Sequence, residues 1–201
     1  MLDSVSTTYR RVQTIGPRLQ SAERAVVSRA PWGPGRWSTI GESLKLQSGA
    51  TLPATRRIPG GVPVYGANGV IGEHDQTTHD AARVTIGRVG AVGAVNITSG
   101  PAWISDNALI VKEAPGHVTN AYLSHALTLA DLGRYASQSA QPLITQSKIA
   151  EAPLWIPSPG EAARMQETLM RLEKMRGVAV EHENRAQALF ASLQSRACKR
   201  P

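Results

Sequence analysis

The chain has 201 residues, 41% hydrophobic and 18% charged, with 22 Lys and Arg against 15 Asp and Glu for a net charge of +7. That length and balance describe a globular chain able to bury its own core, and the longest apolar runs, such as Ala108-Leu109-Ile110-Val111, fall far short of the ~18 residues of a membrane span. A single cysteine, Cys198, excludes an intrachain disulfide framework and a thiolate metal cluster, and the start Met1-Leu2-Asp3-Ser4 lacks the basic-then-apolar pattern of a secretory signal, so a cytoplasmic setting is expected.

In chain order, residues 1–36 read as a leader, disordered or with a short helix opened by Pro17 and running through Leu19, Ala22 and Val26. Its end, Trp32-Gly33-Pro34-Gly35, has the composition of a turn or linker. Residues 37–157 read as short strands and Gly-rich turns around one helix. Val62–Tyr65, Arg83–Ile86, Ala91–Ile97 and Ala108–Val111 are the Val/Ile-weighted strand candidates. Thr119 or Asn120 caps a helix whose apolar face is Tyr122, Leu123, Ala126, Leu127 and Ala130, with Gly133 as its stop. His125 falls on the polar side of that helix.

Ser158-Pro159-Gly160-Glu161 begins a third zone, residues 158–201. It places a capping serine, proline at the first helical position and a glutamate able to reach back to the cap. The positions that follow step alternately by three and four: Ala162, Met165, Leu169, Leu172, Arg176, Ala179, Glu183, Ala186, Phe190, Leu193, Ala197. Nine of the eleven are apolar, the narrow seam of a coiled coil rather than the broad face of a core helix. The helix would run ~55 Å at 1.5 Å per residue. Arg176 and Glu183 stand one heptad apart. They either meet across an antiparallel pair centred near Ala179, or form a solvated interruption beside Gly177.

Charge follows the same three zones. The leader holds six basic and two acidic residues, the middle eight of each, and the C-terminal zone eight basic and five acidic. A net positive chain favours a polyanionic partner, yet the neutral middle must contact one through local groups such as Arg56-Arg57 and Arg88.

Catalytic signatures are missing. Gly87-x-x-Gly90-x-x-Gly93 follows a strand but leads into another strand, so it is no dinucleotide fingerprint; its glycines serve tight turns or close backbone approach. His74-Asp75 and His79-Asp80 have no third cluster to complete a metal site, and none is expected. No Walker lysine, nucleophile elbow or Asn/Asp-Pro-Pro-aromatic tetrapeptide occurs. The chain is read as non-enzymatic.

The order of local motifs then becomes informative. Trp37-Ser38-Thr39-Ile40-Gly41-Glu42-Ser43-Leu44 through Thr51, Gly61-Val62-Pro63-Val64-Tyr65-Gly66-Ala67-Asn68-Gly69 through Gly72, and Val84 through Asn96 with its Gly87-Arg88 element form the first three segments. Trp103-Ile104-Ser105-Asp106-Asn107, Ser139-Ala140-Gln141-Pro142-Leu143 through Ile149, and Pro153 through Pro157 complete the series. Together they resemble the target recognition domain of type I restriction–modification specificity subunits, from about Trp37 to about Leu193. The chain departs from that pattern in following Glu161 with Ala162-Ala163 where the family usually continues Glu-Gln. It also holds one recognition domain and one helix where full-length members resemble two of each, so it looks like a half-subunit.

The resemblance implies an α+β fold: a mixed, β-rich recognition domain (37–157) followed by a long coiled-coil helix (158–201). It implies a bipartite double-stranded DNA target, with modification (methyltransferase) subunits docked on the helices. Those partners would bind S-adenosylmethionine, this chain no cofactor, and a separate restriction (motor–nuclease) subunit would cleave. One domain with one seam suggests a homodimer through Met165, Leu169, Leu172, Arg176, Ala179, Glu183, Ala186, Phe190 and Leu193, which demands a palindromic site. For DNA contact, Arg56, Arg57 and Lys148 are candidates for phosphates. Arg88, Asn68, Gln141 and Gln146 are candidates for base edges, since Arg pairs with guanine and Asn or Gln with adenine. Thr77, Thr78 and Ser139 would support either role. Each also has a plain reading as a surface or turn residue. The alternatives are a recognition domain detached from a single-chain restriction–methylation enzyme, or a degenerate remnant that only dimerises.

Overall fold

The computed structural model describes residues 21–22, 24–25, 28, 33–59 and 61–198. It has two compact units, Val27–Arg164, and Met1–Val26 with Met165–Pro201. Of the leader, Ser21, Ala22, Arg24, Ala25 and Ser28 are helical; Pro17, Leu19 and Val26 lie outside the described residues.

The first unit is a mixed α+β body. Its elements are β1 (Gly35–Thr39), α1 (Ile40–Ser43), β2 (Lys45–Ser48), β3 (Val62–Gly66), β4 (Gly69–His74), β5 (Val84–Gly87), β6 (Val95–Ile97), β7 (Trp103–Ile104), β8 (Ala108–Glu113), α2 (Asn120–Leu129), α3 (Gln146–Ala150) and β9 (Pro153–Pro157). They form an antiparallel sheet in the order β2-β8-β5-β6, a smaller sheet β4-β3-β7 with β3 parallel to β7, and a ribbon of β1 against β9.

The run Ala108–Val111 is apolar throughout because its sheet is covered on both faces. Side chains alternate along a strand, so Ile86, Leu109 and Val111 share one core with Leu123, Leu127, Ile144 and Ile149. Ile110, on the opposite face, packs with Ile104 and Ala108. Each such side chain, fully withdrawn from water, contributes ~1.5–3 kcal/mol. Helix α2 lies on β5, β6 and β9, and the Tyr122 hydroxyl donates to the Trp155 carbonyl at 2.7 Å. Burial pushes that phenol well above its ordinary pKa.

Several expected boundaries move, each for a local reason. The strand expected over Ala91–Ile97 begins only at Val95, because Gly87 N–H donates to Ala94 and Gly93 N–H to Gly87, closing the chain into a loop. Helix α2 stops at Leu129, not at Gly133, since Asp131 takes a left-handed conformation (φ 48°). Gly35, expected in a linker, already pairs with Pro157 in the β1–β9 ribbon. The short strands β2, β4 and β7 and the ribbon carry no alternation strong enough to announce them.

Helix α4 spans Pro159–Cys198. Its start keeps the serine cap, with Glu161 N–H donating to Ser158 Oγ at 3.3 Å. The reciprocal half of the expected capping box is absent: Glu161 pairs with Arg164, and the Ser158 N–H goes to the Pro34 carbonyl instead. A complete box occurs at Thr39–Glu42, which opens α1. Beyond the first turn the seam is the less exposed side of the helix. Met165 and Leu169 are buried, Leu172, Ala179, Glu183 and Ala186 half-buried, and Arg176 exposed. The side chains of Phe190 and Leu193 lie outside the described residues.

Candidate nucleic-acid interface

Three segments, far apart in sequence, converge where β5 ends. Arg88 follows β5 directly and is bonded at both its backbone and its side chain. Its N–H donates to the Asn107 carbonyl at 2.9 Å, and its carbonyl accepts from Ile144 N–H at 3.0 Å. The guanidinium donates from Nε to the Ile144 carbonyl (3.4 Å), and from Nη1 to Ser48 Oγ and the Asp106 carbonyl (both 3.2 Å). Thr51 Oγ1 donates to Asp106 Oδ2 at 2.8 Å, a second tie between two of these segments.

Glycines let the backbone come this close. A Cβ on Gly87 would stand 2.1 Å from the Ala91 carbonyl and 2.6 Å from that of Ala67, so the β3–β4 turn and the 88–93 loop touch without a side chain between them. Gly93, at φ +79°, would put a Cβ 2.5 Å from Gly133 N. The Gly-x-x-Gly-x-x-Gly run is thus a loop-packing device.

The exposed Asn68 sits in that β3–β4 turn. The 137–143 loop closes on itself: Ser137 N–H donates to the Leu143 carbonyl, Leu143 N–H to Ser137 Oγ, and Ser139 Oγ to the Gln141 carbonyl at 2.7 Å. Gln141 lies on its exposed side, while Thr145 caps α3 and leaves Gln146 and Lys148 exposed. The turn that holds Asn68, the loop that holds Ser139 and Gln141, and the start of α3 at Gln146 thus all adjoin the chain around Gly87–Val89, at one end of the main sheet. Lys148 faces a cleft of about 410 Å³ that it shares with Arg134, Tyr135, Ser147 and Glu151.

The remaining candidates stand elsewhere. Arg56 is exposed on a short 3-10 turn. Arg57 is committed to the fold, with Nη1 donating to the Ile71 carbonyl at 3.2 Å, its stem over Gly72 and its Nε buried. Thr78 Oγ1 accepts from Ile104 N–H at 3.0 Å and so anchors β7, whereas the exposed Thr77 pairs with Asp80. His74 stacks edge-on against Trp103, and His79 meets Thr78 and Gln47. Among the described residues no three metal-ligating side chains come together.

Sequence reasoning missed Arg134, whose guanidinium lies over the Tyr135 ring at 5.0 Å; an adjacent cation and aromatic is the one signal it offered. It also missed the ties made by Ser48 and Thr51, which no spacing announces.

The profile of the type I restriction modification DNA specificity domain matches residues 34–188. The EcoprrI type I restriction enzyme specificity subunit of Escherichia coli is 33% identical over 130 residues, covering 62% of this chain and 32% of that protein. Among solved structures, the type I restriction–modification S subunit from M. genitalium superposes with a TM-score of 0.72 at 13% identity, over 96% of this chain and 57% of its own. The HsdS subunit from Thermoanaerobacter tengcongensis does so with a TM-score of 0.62 at 16% identity, over 98% and 55%. The chain thus spans about a third of the curated relative's length and a little over half of each solved subunit.

Proposed function

The chain belongs to the type I restriction modification DNA specificity family, and from that premise we propose that it reads one half of a bipartite DNA site for a separate adenine methyltransferase. The observation that carries this reading is the match over residues 34–188, which takes in every strand of the body and much of helix α4. The convergence of Asn68, Gln141 and Gln146 at one end of the main sheet supports it. Amide side chains suit adenine edges in the major groove, and self-bonded loops present them with little ordering cost. Arg56 and Lys148, both exposed, are the phosphate contacts in this reading, with Thr77 and Ser139 in a supporting role.

Helix α4 is the spacer and docking element. Met165 and Leu169 are buried in the single chain, so pairing with a second copy would use the seam from Leu172 onward, making the target a palindrome with an unread centre. S-adenosylmethionine would be held by the methyltransferase partner, and cleavage would fall to a motor–nuclease subunit in a cytoplasmic complex. No helix among the described residues is long and apolar enough to cross a membrane.

The test is base-resolution methylation mapping of cells expressing this chain with a candidate modification subunit, against that subunit alone. A new bipartite, palindromic adenine motif is the expected result. An asymmetric motif would replace self-pairing by a second specificity half. No new motif, with the two proteins shown soluble and associated, would overturn the reading.

A further inference from the structure

Arg88 has the right chemistry to read guanine, but the structure employs its guanidinium differently. A bidentate pair with a guanine edge needs two guanidinium nitrogens aimed outward. Here Nε and Nη1 already donate to Ile144, Ser48 and Asp106. These acceptors belong to three segments: the end of β2, the turn before β8, and the strand-like stretch leading into α3. Counting its backbone bonds to Asn107 and Ile144, this residue joins the end of β2 and the turn before β8 to the stretch between the loop that carries Gln141 and helix α3, which opens with Gln146. Thr51 ties Asp106 to the end of β2 without Arg88, so those two segments have a second clasp. The 143–146 stretch has the Val89–Leu143 bridge and the Ile144 N–H bond, both made by residues 88 and 89 themselves. The Ile144 side chain is buried in the main core, and the backbone ties of this stretch to the sheet run through residues 88 and 89.

We propose that Arg88 is a positioning residue, which clamps the 137–146 loop to the sheet and holds Gln141 and Gln146 in register with the bases. This rests on the DNA-reading function proposed above. A fork that spans two carbonyls and a hydroxyl cannot be replaced by a lysine ammonium at the same place, because the ammonium is a point donor on a flexible stem. The clamp acts before any DNA arrives.

Two measurements test it, both on the full chain. The first is amide hydrogen exchange of the free protein with Arg88→Lys. Exchange at Leu143 and Ile144 is expected to rise roughly tenfold through local opening, while Val84, Ile86 and Leu109 keep their protection. Unchanged exchange at Leu143 and Ile144 would overturn the clamp. The second is selection from a randomised duplex DNA library by wild type, Arg88→Lys, Gln141→Ala and the double variant. Arg88→Lys is expected to weaken preference at the same positions that Gln141→Ala relaxes, and the double variant to be little worse than either alone, as coupled residues are. Loss of preference for a single guanine, with the other positions intact, would make Arg88 a reader and overturn the proposal. If wild type selects no motif, the DNA-reading function itself fails and this inference with it; the exchange result then reports only on loop stability.

Discussion

The body and the long helix solve the problem of stability in opposite ways. In the body, side chains distant in sequence meet: Ile86, Leu109, Leu127 and Ile149 are all withdrawn from water in one core. Charge plays a small part there, and Lys45–Glu113 is an exposed pair. In helix α4 beyond Met165, Glu167 pairs with Arg171 and Glu181 with Arg185, local ion pairs each about one turn apart. Such pairs are worth only ~0.2–0.5 kcal/mol each. Large apolar side chains there stay exposed, among them Met175, Val178 and Leu189. A body built from long-range contacts holds its loops in one arrangement, which suits reading. A helix built from local contacts can keep its length whatever lies beside it, which suits spacing and pairing.

The comparison is broken most severely by equal truncations on its two sides. Leu127 is 0% exposed and Leu189 56% exposed. Leu127→Ala leaves a cavity in the body core and is expected to cost ~2–5 kcal/mol. Leu189→Ala is expected to stay within ~0.5 kcal/mol, as surface substitutions do. Urea unfolding at low protein concentration measures both. Equal costs would mean that the helix face is covered within the chain, and the contrast would be lost.

How much of this was legible depends on which kind of contact built it. The helix depends on local signals, and the cap at Ser158, the proline after it and the three-and-four stepping all stand in the sequence. Even so, the cap's N–H goes to Pro34, a residue distant in sequence just before β1, and Glu161 pairs with Arg164 instead. In the body, Ala108–Val111 was legible because coverage on both faces leaves a continuous apolar run, and the strand around Ile86 because β-branched residues fill Val84–Ile86 before a glycine. The two-residue β7 and the β1–β9 ribbon were not, because pairing partners rather than composition define them. The same holds for the site. Asn68, Gln141 and Gln146 are candidates by residue chemistry and stay exposed in the fold, but the commitment of Arg57 to Ile71, of Thr78 to Ile104 and of Arg88 to three segments is tertiary. An exposed arginine and a structural one look alike in a sequence.

A smaller effect sharpens the helix side. Gly177 lies within α4, and a Cβ there would meet nothing within 4 Å. Gly177→Ala is therefore expected to stabilise the helix by ~1 kcal/mol through propensity alone, raising the temperature at which far-ultraviolet circular dichroism reports helix loss. Amide exchange in β5 and β8 should not change. A destabilised variant would show that the glycine accommodates a close neighbour, such as a second helix packed at that point.

The smallest effect belongs to the body and depends on pH. His79 is half-buried, with Gln47 Nε2 3.4 Å from its Nε2 and Thr78 Oγ1 3.0 Å from its Nδ1. In this arrangement a neutral ring accepts from the Gln47 amide and donates to Thr78; protonation would set two donors against each other. Burial and then the nearby Arg83 hold the imidazole below its ordinary pKa, against a weaker opposing pull from Asp80. The unfolded chain therefore takes up this proton first as pH falls. The stability that His79 contributes is complete above about pH 6.5, declines as pH falls below it, and is gone once pH has passed through the lowered folded-state value. The urea midpoint of wild type should fall between pH 7.5 and pH 5, and His79→Gln, which cannot titrate, should show a smaller fall over the same interval. Parallel profiles for the two proteins would mean that the ring accepts its proton in the folded state without displacing Gln47. The junction between β2 and the 77–80 loop would then owe nothing to a neutral histidine.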